Sequence, residues 1–359
     1  MAEAFRSASS EASAWLDAAR DCVSRLGRTA SAGNLGFLYL SDHHAGHAAA
    51  IRAHLAAATG VNDWIGTVGM GILSDRREYF DEPAMAVMVG DLPTGSFSVF
   101  EGSPRVEDSW FGLVHADAAV DDLGTRLAGL SRQTGAFLVG GIAASRGPRP
   151  QFAGGATGGD ISGVLFSEAV PVVTGLSQGC LPIGPAHTIT ACERNVAIGL
   201  DGKPALQVLQ DDLSEAYRRD PQVLRRPLTA ALPVGGADRP DYLVRDFSGF
   251  DSERGLIGIN AMLENGQTIF FCSRDAESAR RDLDRMLGDL KRRAGSRPPR
   301  GAIYCSCLAR GPNLFGPGSH ELGQVQSALG DVPLIGFFAN GEIANARLYT
   351  YTGVLTLFL

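Results

Sequence analysis

An apolar strand, a helix and two further strands follow one another three times along this 359-residue chain. The first copy reads as a strand at 36–40, a helix at 45–58 opened by Ser41 or Asp42, a glycine-interrupted strand at 64–73 and a strand at 84–92. The second has strands at 111–115, 136–143 and 161–167 and a helix at 118–133. The third has strands at 301–306, 333–338 and 353–359 and a helix from Ser319 to Leu329. The period is irregular, so this is not a solenoid. Short apolar runs alternating with helical patterns predict an α/β (mixed α+β) fold, in which helices cover mixed sheets and antiparallel strands lie beside each crossover.

Between the second and third copies lies a strand-rich run. Strands are expected at 172–176, 188–192 and 196–200, with Asp201-Gly202 as a turn. A helix is expected at 205–217. The segments 256–263 and 268–273 read as a hairpin around Glu264-Asn265-Gly266. A charged helix at 276–293, capped by Asp275, carries one apolar stripe of Leu283, Met286, Leu287 and Leu290. At the start of the chain, Trp15, Ala19, Cys22, Val23 and Leu26 recur at helical spacing within 8–27, and Gly27 ends the pattern. The Arg-, Pro- and Gly-rich run 218–241 marks a boundary region. The expected organisation is an N-terminal helix within 1–34 and two lobes, 35–212 and 213–359.

Bulk properties exclude some functions. A net charge of −7 speaks against a general nucleic-acid surface. The longest uncharged apolar stretches, such as 134–144, are too short to span a bilayer. The first residues lack the basic and apolar regions of a signal peptide, and six scattered cysteines need no pairing. Together these predict a cytoplasmic protein with free thiols.

The stretch 301–343 carries the densest chemistry. A buried strand runs into a small-residue loop, a helix opens on Ser319 with Glu321 in its first turn, and a second strand ends at Asn340-Gly341-Glu342. Two strand ends and a helix start therefore bring Arg310, Glu321 and Glu342 together. Arg310 would fork onto a carboxylate and a glutamate would take an ammonium, as a zwitterion such as an amino acid requires. The same three residues equally describe an internal ion-pair cluster.

The run Cys307-Leu308-Ala309-Arg310-Gly311, then Phe315-Gly316, then Glu321 in the next helix, then PLIGFFANGEI at 333–343, resembles the C-terminal half of the FIST family. The run GLSQGCLPIGPAHTIT at 175–190 resembles the end of that family's N-terminal half. The resemblance covers about 35–359. It implies a sensory, small-ligand-binding protein of signal transduction. Such domains occur alone, beside histidine kinases and chemoreceptor modules, and in certain F-box proteins. It raises the binding reading of Arg310, Glu321 and Glu342, which match positions of its C-terminal pattern. The binding site would also take in Gln178, Cys180 and Cys305, and a separate partner such as a histidine kinase would receive the signal. Some bacterial members are haem-bound nitric oxide sensors, which need an axial histidine. On that reading haem b is the cofactor and His187 its ligand.

Other patterns are weaker. On a strand, Cys305 and Cys307 point to one face, but no second pair completes a zinc site. His43, His47 and His54 share a helical face, which reads as a solvated stripe. Gly69-Met70-Gly71-Ile72-Leu73-Ser74 fails as a dinucleotide fingerprint, since the third glycine is a serine and no helix follows. No nucleophile-elbow, zincin or kinase signature is present. The chain is therefore expected to be non-enzymatic and metal-free. A thiol enzyme using Cys180, Cys192 or Cys305, the first two paired with His187, is the remaining alternative. Oligomeric state is left open, with a homodimer as one arrangement.

Overall fold

The computed structural model describes residues 5–27, 33–104, 109–158, 160–234 and 241–359. The chain forms two compact units. The first comprises Met1–Ser177 and Leu283–Leu359, and the second is Gln178–Asp282.

The first unit holds all three copies of the expected pattern. The first copy runs β1 (Arg6–Ser10), α1 (Trp15–Leu26), β2 (Leu35–Ser41), α2 (Ala48–Thr59), β3 (Asp63–Gly69), β4 (Gly71–Ser74), β5 (Arg77–Phe80) and β6 (Met85–Gly90). The second runs β7 (Phe97–Glu101), β8 (Phe111–Ala116), α3 (Leu123–Thr134), β9 (Phe137–Ile142), β10 (Pro150–Ala153), β11 (Gly155–Gly158) and β12 (Ile161–Phe166). β13 (Val172–Gln178) leads into the second unit.

That unit contains β14 (Cys180–Pro182), β15 (His187–Glu193), β16 (Val196–Leu200), β17 (Lys203–Pro204), α4 (Ala205–Arg219), β18 (Leu228–Pro233), β19 (Tyr242–Arg245), β20 (Phe247–Asp251), β21 (Leu256–Ile259) and β22 (Thr268–Arg274). Helix α5 (Ala276–Ala294) carries the chain back. The third copy is β23 (Gly301–Cys307), α6 (Pro312–Phe315), α7 (His320–Leu329), β24 (Leu334–Ala339), β25 (Glu342–Ala344), β26 (Arg347–Tyr349) and β27 (Thr352–Phe358).

Each copy builds the middle of one six-stranded sheet. The orders are β1-β6-β2-β3-β10-β11, β7-β12-β8-β9-β25-β26 and β13-β27-β23-β24-β4-β5. In every sheet a parallel pair (β2/β3, β8/β9, β23/β24) lies beside an antiparallel strand (β6, β12, β27). The hairpin that completes each sheet comes from another copy. β4–β5 of the first copy completes the third sheet, β25–β26 of the third completes the second, and β10–β11 of the second completes the first. The three sheets are thus closed in a ring by exchanged hairpins.

A shared glycine marks the register. Gly66, Gly140 and Gly336 sit opposite Leu38, Val114 and Tyr304 in the three parallel pairs. A Cβ at any of the three would fall on the carbonyl of that partner residue, so only glycine lets the strands approach there. The next residue on each leading strand, Tyr39, His115 or Cys305, occupies an equivalent place.

Helices cover the outer faces through apolar stripes. Ala18, Ala19, Cys22 and Leu26 of α1 pack with Ile51 and Leu55 of α2 over Trp64, Met85 and Val87. Leu123, Leu127 and Leu130 of α3 cover Val114 and Leu138. Asp275 caps α5, accepting the Ser278 N–H at 2.9 Å, and its stripe from Leu283 to Leu290 is buried as expected.

Several details differ from the sequence reading. Residues 6–10 form an edge strand paired with β6, with Ala8, Ser9 and Ser10 buried, and the helix starts only at Trp15. The expected strand 64–73 splits at Met70 into β3 and β4, which join different sheets. The hairpin expected around Glu264-Asn265-Gly266 does not form. β21 pairs with β16 and β20, and β22 pairs with β14, β15 and β18. The loop between them instead hydrogen-bonds to the β15–β16 hairpin, with Leu263 N–H on Arg194 O and Gly266 N–H on Ile189 O, both at 2.8 Å. The sequence boundary at residues 212 and 213 falls inside α4.

Candidate functional site

Strand β23 delivers its side chains alternately to two faces. Tyr304 and Ser306 point one way, and Cys305 and Cys307 the other. Beyond it the chain turns at Gly311 (φ 49°), where a side chain would collide with the Phe338 ring. This turn folds Arg310 back over the strand, against the first turn of α7.

Glu321 is the hub. Its carboxylate accepts from Arg310 Nε at 2.7 Å, Tyr304 Oη at 2.6 Å, Ser306 Oγ at 3.1 Å and the Gly311 N–H at 2.8 Å. Arg310 and Glu321 are 0% and 1% exposed. Burial works against the Arg310 charge, but Glu321 and its neighbours outweigh it and hold the guanidinium pKa above its usual value. The Phe315 ring lies 5.2 Å beneath the guanidinium carbon. Nε makes the shortest of its bonds. Nη1 reaches Tyr351 O and Nη2 reaches Ser177 Oγ, each at 3.5 Å.

Glu342 is wholly buried and accepts from Thr352 through its N–H at 3.1 Å and its Oγ1 at 2.7 Å, both on Oε2. Its Oε1 has no hydrogen-bond partner. Burial pushes this carboxyl up to about 8 against the Thr352 bonds and the nearby Arg310 charge. The structure therefore pairs Arg310 with Glu321, while Glu342 acts on Arg310 through its field rather than by direct contact.

One member was not foreseen. Ser319, expected as an N-cap, has φ 58° and caps nothing. Its Oγ accepts the Glu78 N–H at 2.9 Å, and the Glu78 carboxylate accepts the Leu322 N–H at 2.8 Å. A glutamate on the exchanged β4–β5 hairpin thus takes over the capping of α7. Burial, with help from the Glu321 charge, raises Glu78 to about 7. Glu78 stands in the polar run after Ser74, where sequence offers no periodic signal.

On the opposite face of β23 the equivalent residues of the three copies meet. Tyr39 Oη and His115 Nε2 are 3.1 Å apart, and the Tyr39 ring stacks on Phe337 at 5.0 Å. Cys305 is close enough to help burial raise the Tyr39 pKa. His115 is completely buried, its pKa is driven down to about 3 by desolvation, and its Nδ1 has no partner. Burial, then the Glu342 charge, pushes the Cys305 thiol up, which keeps it protonated.

The remaining expected site residues lie in the second unit. Gln178 donates its N–H to Asp282 Oδ2 and its Nε2 to Tyr242 O, both at 2.6 Å. Cys180 is buried, and its carbonyl accepts from Tyr242 Oη at 3.0 Å. His187 is held from both sides, Nδ1 by Asp201 Oδ2 at 2.6 Å and Nε2 by Asp212 Oδ2 at 2.9 Å. Burial lowers its pKa, but the two carboxylates outweigh this and the net shift is upward. An axial bond from His187 to haem iron would have to displace one of these carboxylates. His43 and His47 are exposed on a 3-10 turn and His54 is half-buried on α2. Among the described residues no group of His, Cys, Asp or Glu is arranged to hold a metal ion.

This architecture belongs to a known class. Residues 34–203 match the FIST N domain and residues 205–345 match the FIST C domain. The chain is a member of the FIST family, whose domains are associated with sensory signal transduction. An uncharacterized protein of Mycobacterium tuberculosis is 29% identical over 365 residues, covering 90% of this chain and 91% of the relative. An uncharacterized protein of Mycobacterium bovis is 28% identical over 337 residues, covering 82% of each. No helix among the described residues is long and apolar enough to cross a membrane.

Proposed function

We propose that this chain is a small-ligand sensor that reads an amino-acid-like or carboxylate ligand at the Arg310–Glu321–Glu342 cluster. One observation carries the reading: the cluster is buried yet holds unused bonding capacity. Among the described residues the Arg310 Nη atoms make long contacts of 3.5 Å to Tyr351 O and Ser177 Oγ, and Glu342 Oε1 has no hydrogen-bond partner at ordinary distance, although the Cys307 thiol lies close enough to help lower the Glu342 pKa. Buried polar atoms normally find full partners. A ligand carboxylate on Nη1 and Nη2, with its ammonium on Glu342 Oε1, would supply them.

The cluster is closed to solvent, so a ligand enters only when the loop from Leu308 to Ser319 opens. Binding is thereby linked to a change of conformation, which a sensor needs and a simple carrier does not. The output would pass by contact to a separate signalling protein such as a histidine kinase, in the cytoplasm. We assign no catalytic role to Cys305, whose thiol is buried and held protonated. The test is a thermal-shift screen of amino acids and small carboxylates on the wild type and on Arg310→Lys, which keeps the charge but loses the fork. Stabilisation of the wild type alone is the expected result. No stabilisation by any compound would end this reading.

A further inference from the structure

The chain passes from β26 of the second sheet to β27 of the third through only Thr350 and Tyr351. In this short crossing Tyr351 takes φ 66°. Glycine and asparagine tolerate that region, whereas an aromatic residue is strained in it.

The strained residue lies at the Arg310 cluster. The Tyr351 carbonyl accepts from Arg310 Nη1 at 3.5 Å. The next residue, Thr352, is wholly buried and gives Glu342 Oε2 two donors, its N–H at 3.1 Å and its Oγ1 at 2.7 Å. The Tyr351 carbonyl and the Thr352 N–H belong to one peptide unit. That unit turns an acceptor to the arginine and a donor to the glutamate, as the carboxylate and ammonium of a zwitterion would. The match is unequal, because the carbonyl contact is long and a neutral carbonyl is a weaker partner for a guanidinium than a carboxylate is.

We infer that the Tyr351–Thr352 peptide is an internal stand-in for the ligand, which holds the cluster closed in the free protein and is displaced when a zwitterion takes Arg310 and Glu342. This rests on the reading of those two residues as the ligand's anchors. Opening of the loop 308–319 admits the ligand, and this peptide yields to it. The strain at Tyr351 raises the free energy of the closed turn and so keeps the open form within reach of a ligand. Displacement moves the crossing between two sheets, and β27 lies between β13 and β23, so occupancy of the cluster is passed to the ring.

The experiment pairs amide hydrogen exchange, read by NMR, with isothermal titration of glycine, L-alanine and L-glutamate. Both use the full chain as wild type, Tyr351→Asn and Tyr351→Ala. Both substitutions remove the ring, but only asparagine relaxes the positive φ. In the free wild type the Thr352 N–H should exchange about tenfold or more faster than the Val354 N–H inside β27, by local opening. Tyr351→Asn should slow the Thr352 exchange about threefold or more relative to Tyr351→Ala. It should weaken whichever compound binds by the same factor, because apparent affinity scales with the open fraction. Thr352 exchange no faster than that of Val354, or equal in the two variants, would overturn the inference. So would slowed exchange with unchanged affinity. No binding of any of the three compounds to the wild type would be the failure of the anchor reading itself, and would end this inference with it.

Discussion

Glu321 receives bonds from four residues, and this makes its removal a sharp probe. In Glu321→Ala the Arg310 charge stays buried without a counter-ion, and the expected cost is about 3–5 kcal/mol in urea unfolding. Ser306→Ala removes one neutral donor and should cost only about 1 kcal/mol. The pH dependence has a definite sign. Glu342 and Glu78 have folded-state values raised to about 8 and about 7, so the folded protein binds their protons more tightly than the unfolded chain. Their contribution to stability is fullest at acid pH and falls as pH rises from the ordinary carboxyl range through these values. Urea midpoints should therefore decline from pH 5 to pH 8, and Glu342→Gln should flatten that decline. A wild-type midpoint that rises over this range, or an equal slope in the variant, would contradict the assignment. At this scale the sequence was partly legible. Arg310 and Glu321 were found because a loop arginine and a first-turn glutamate flank one strand end. Tyr304 and Ser306 were within reach, because the alternation that aligned Cys305 with Cys307 also puts them together on the other face. Glu78 was not, since its partner Ser319 lies 241 residues further along the chain.

Strands and helices were read well where an apolar period was long enough. Among the elements the sequence reading missed are the short strands β5, β10–β11 and β25–β26, each of three or four residues. Runs so short carry no usable period, and their partners lie in other copies of the pattern. The leading parallel pairs rest on the matched glycines, which gives a contrast in substitution. Gly336→Ala places a methyl against the Tyr304 carbonyl, and a loss of about 3 kcal/mol or more is expected. Gly129→Ala, inside α3 with open space around it, should instead gain up to about 1 kcal/mol. Thermal melts of the two variants check both signs. In the second unit, His187 bridges β15 to α4 through Asp212. Its raised value means that this tie is complete below the ordinary histidine range and is lost as pH rises through the folded value. An NMR titration of His187 should give a midpoint above 6.5, the ordinary histidine value. A midpoint below that would show that burial, not the carboxylates, governs this residue.

At the scale of the whole chain, the repeated strand–helix–strand–strand order was visible in sequence and the exchange of hairpins was not. Local patterns specify what an element is, and long-range pairing decides which sheet it joins. That exchange has a structural consequence, because it brings Glu78 of the first copy to the helix that carries Glu321 of the third. The buried cluster is therefore tied to the ring of sheets at two points, and opening it would be felt beyond its own loop. The most direct measurement is the melting temperature of wild type and Arg310→Lys across a panel of amino acids and small carboxylates. A ligand at a hundredfold excess over its Kd stabilises by about 2.7 kcal/mol, which corresponds to a rise of several degrees. The account predicts that rise for at least one compound in the wild type and its loss in Arg310→Lys. Equal rises in both proteins, or none in either, would contradict it.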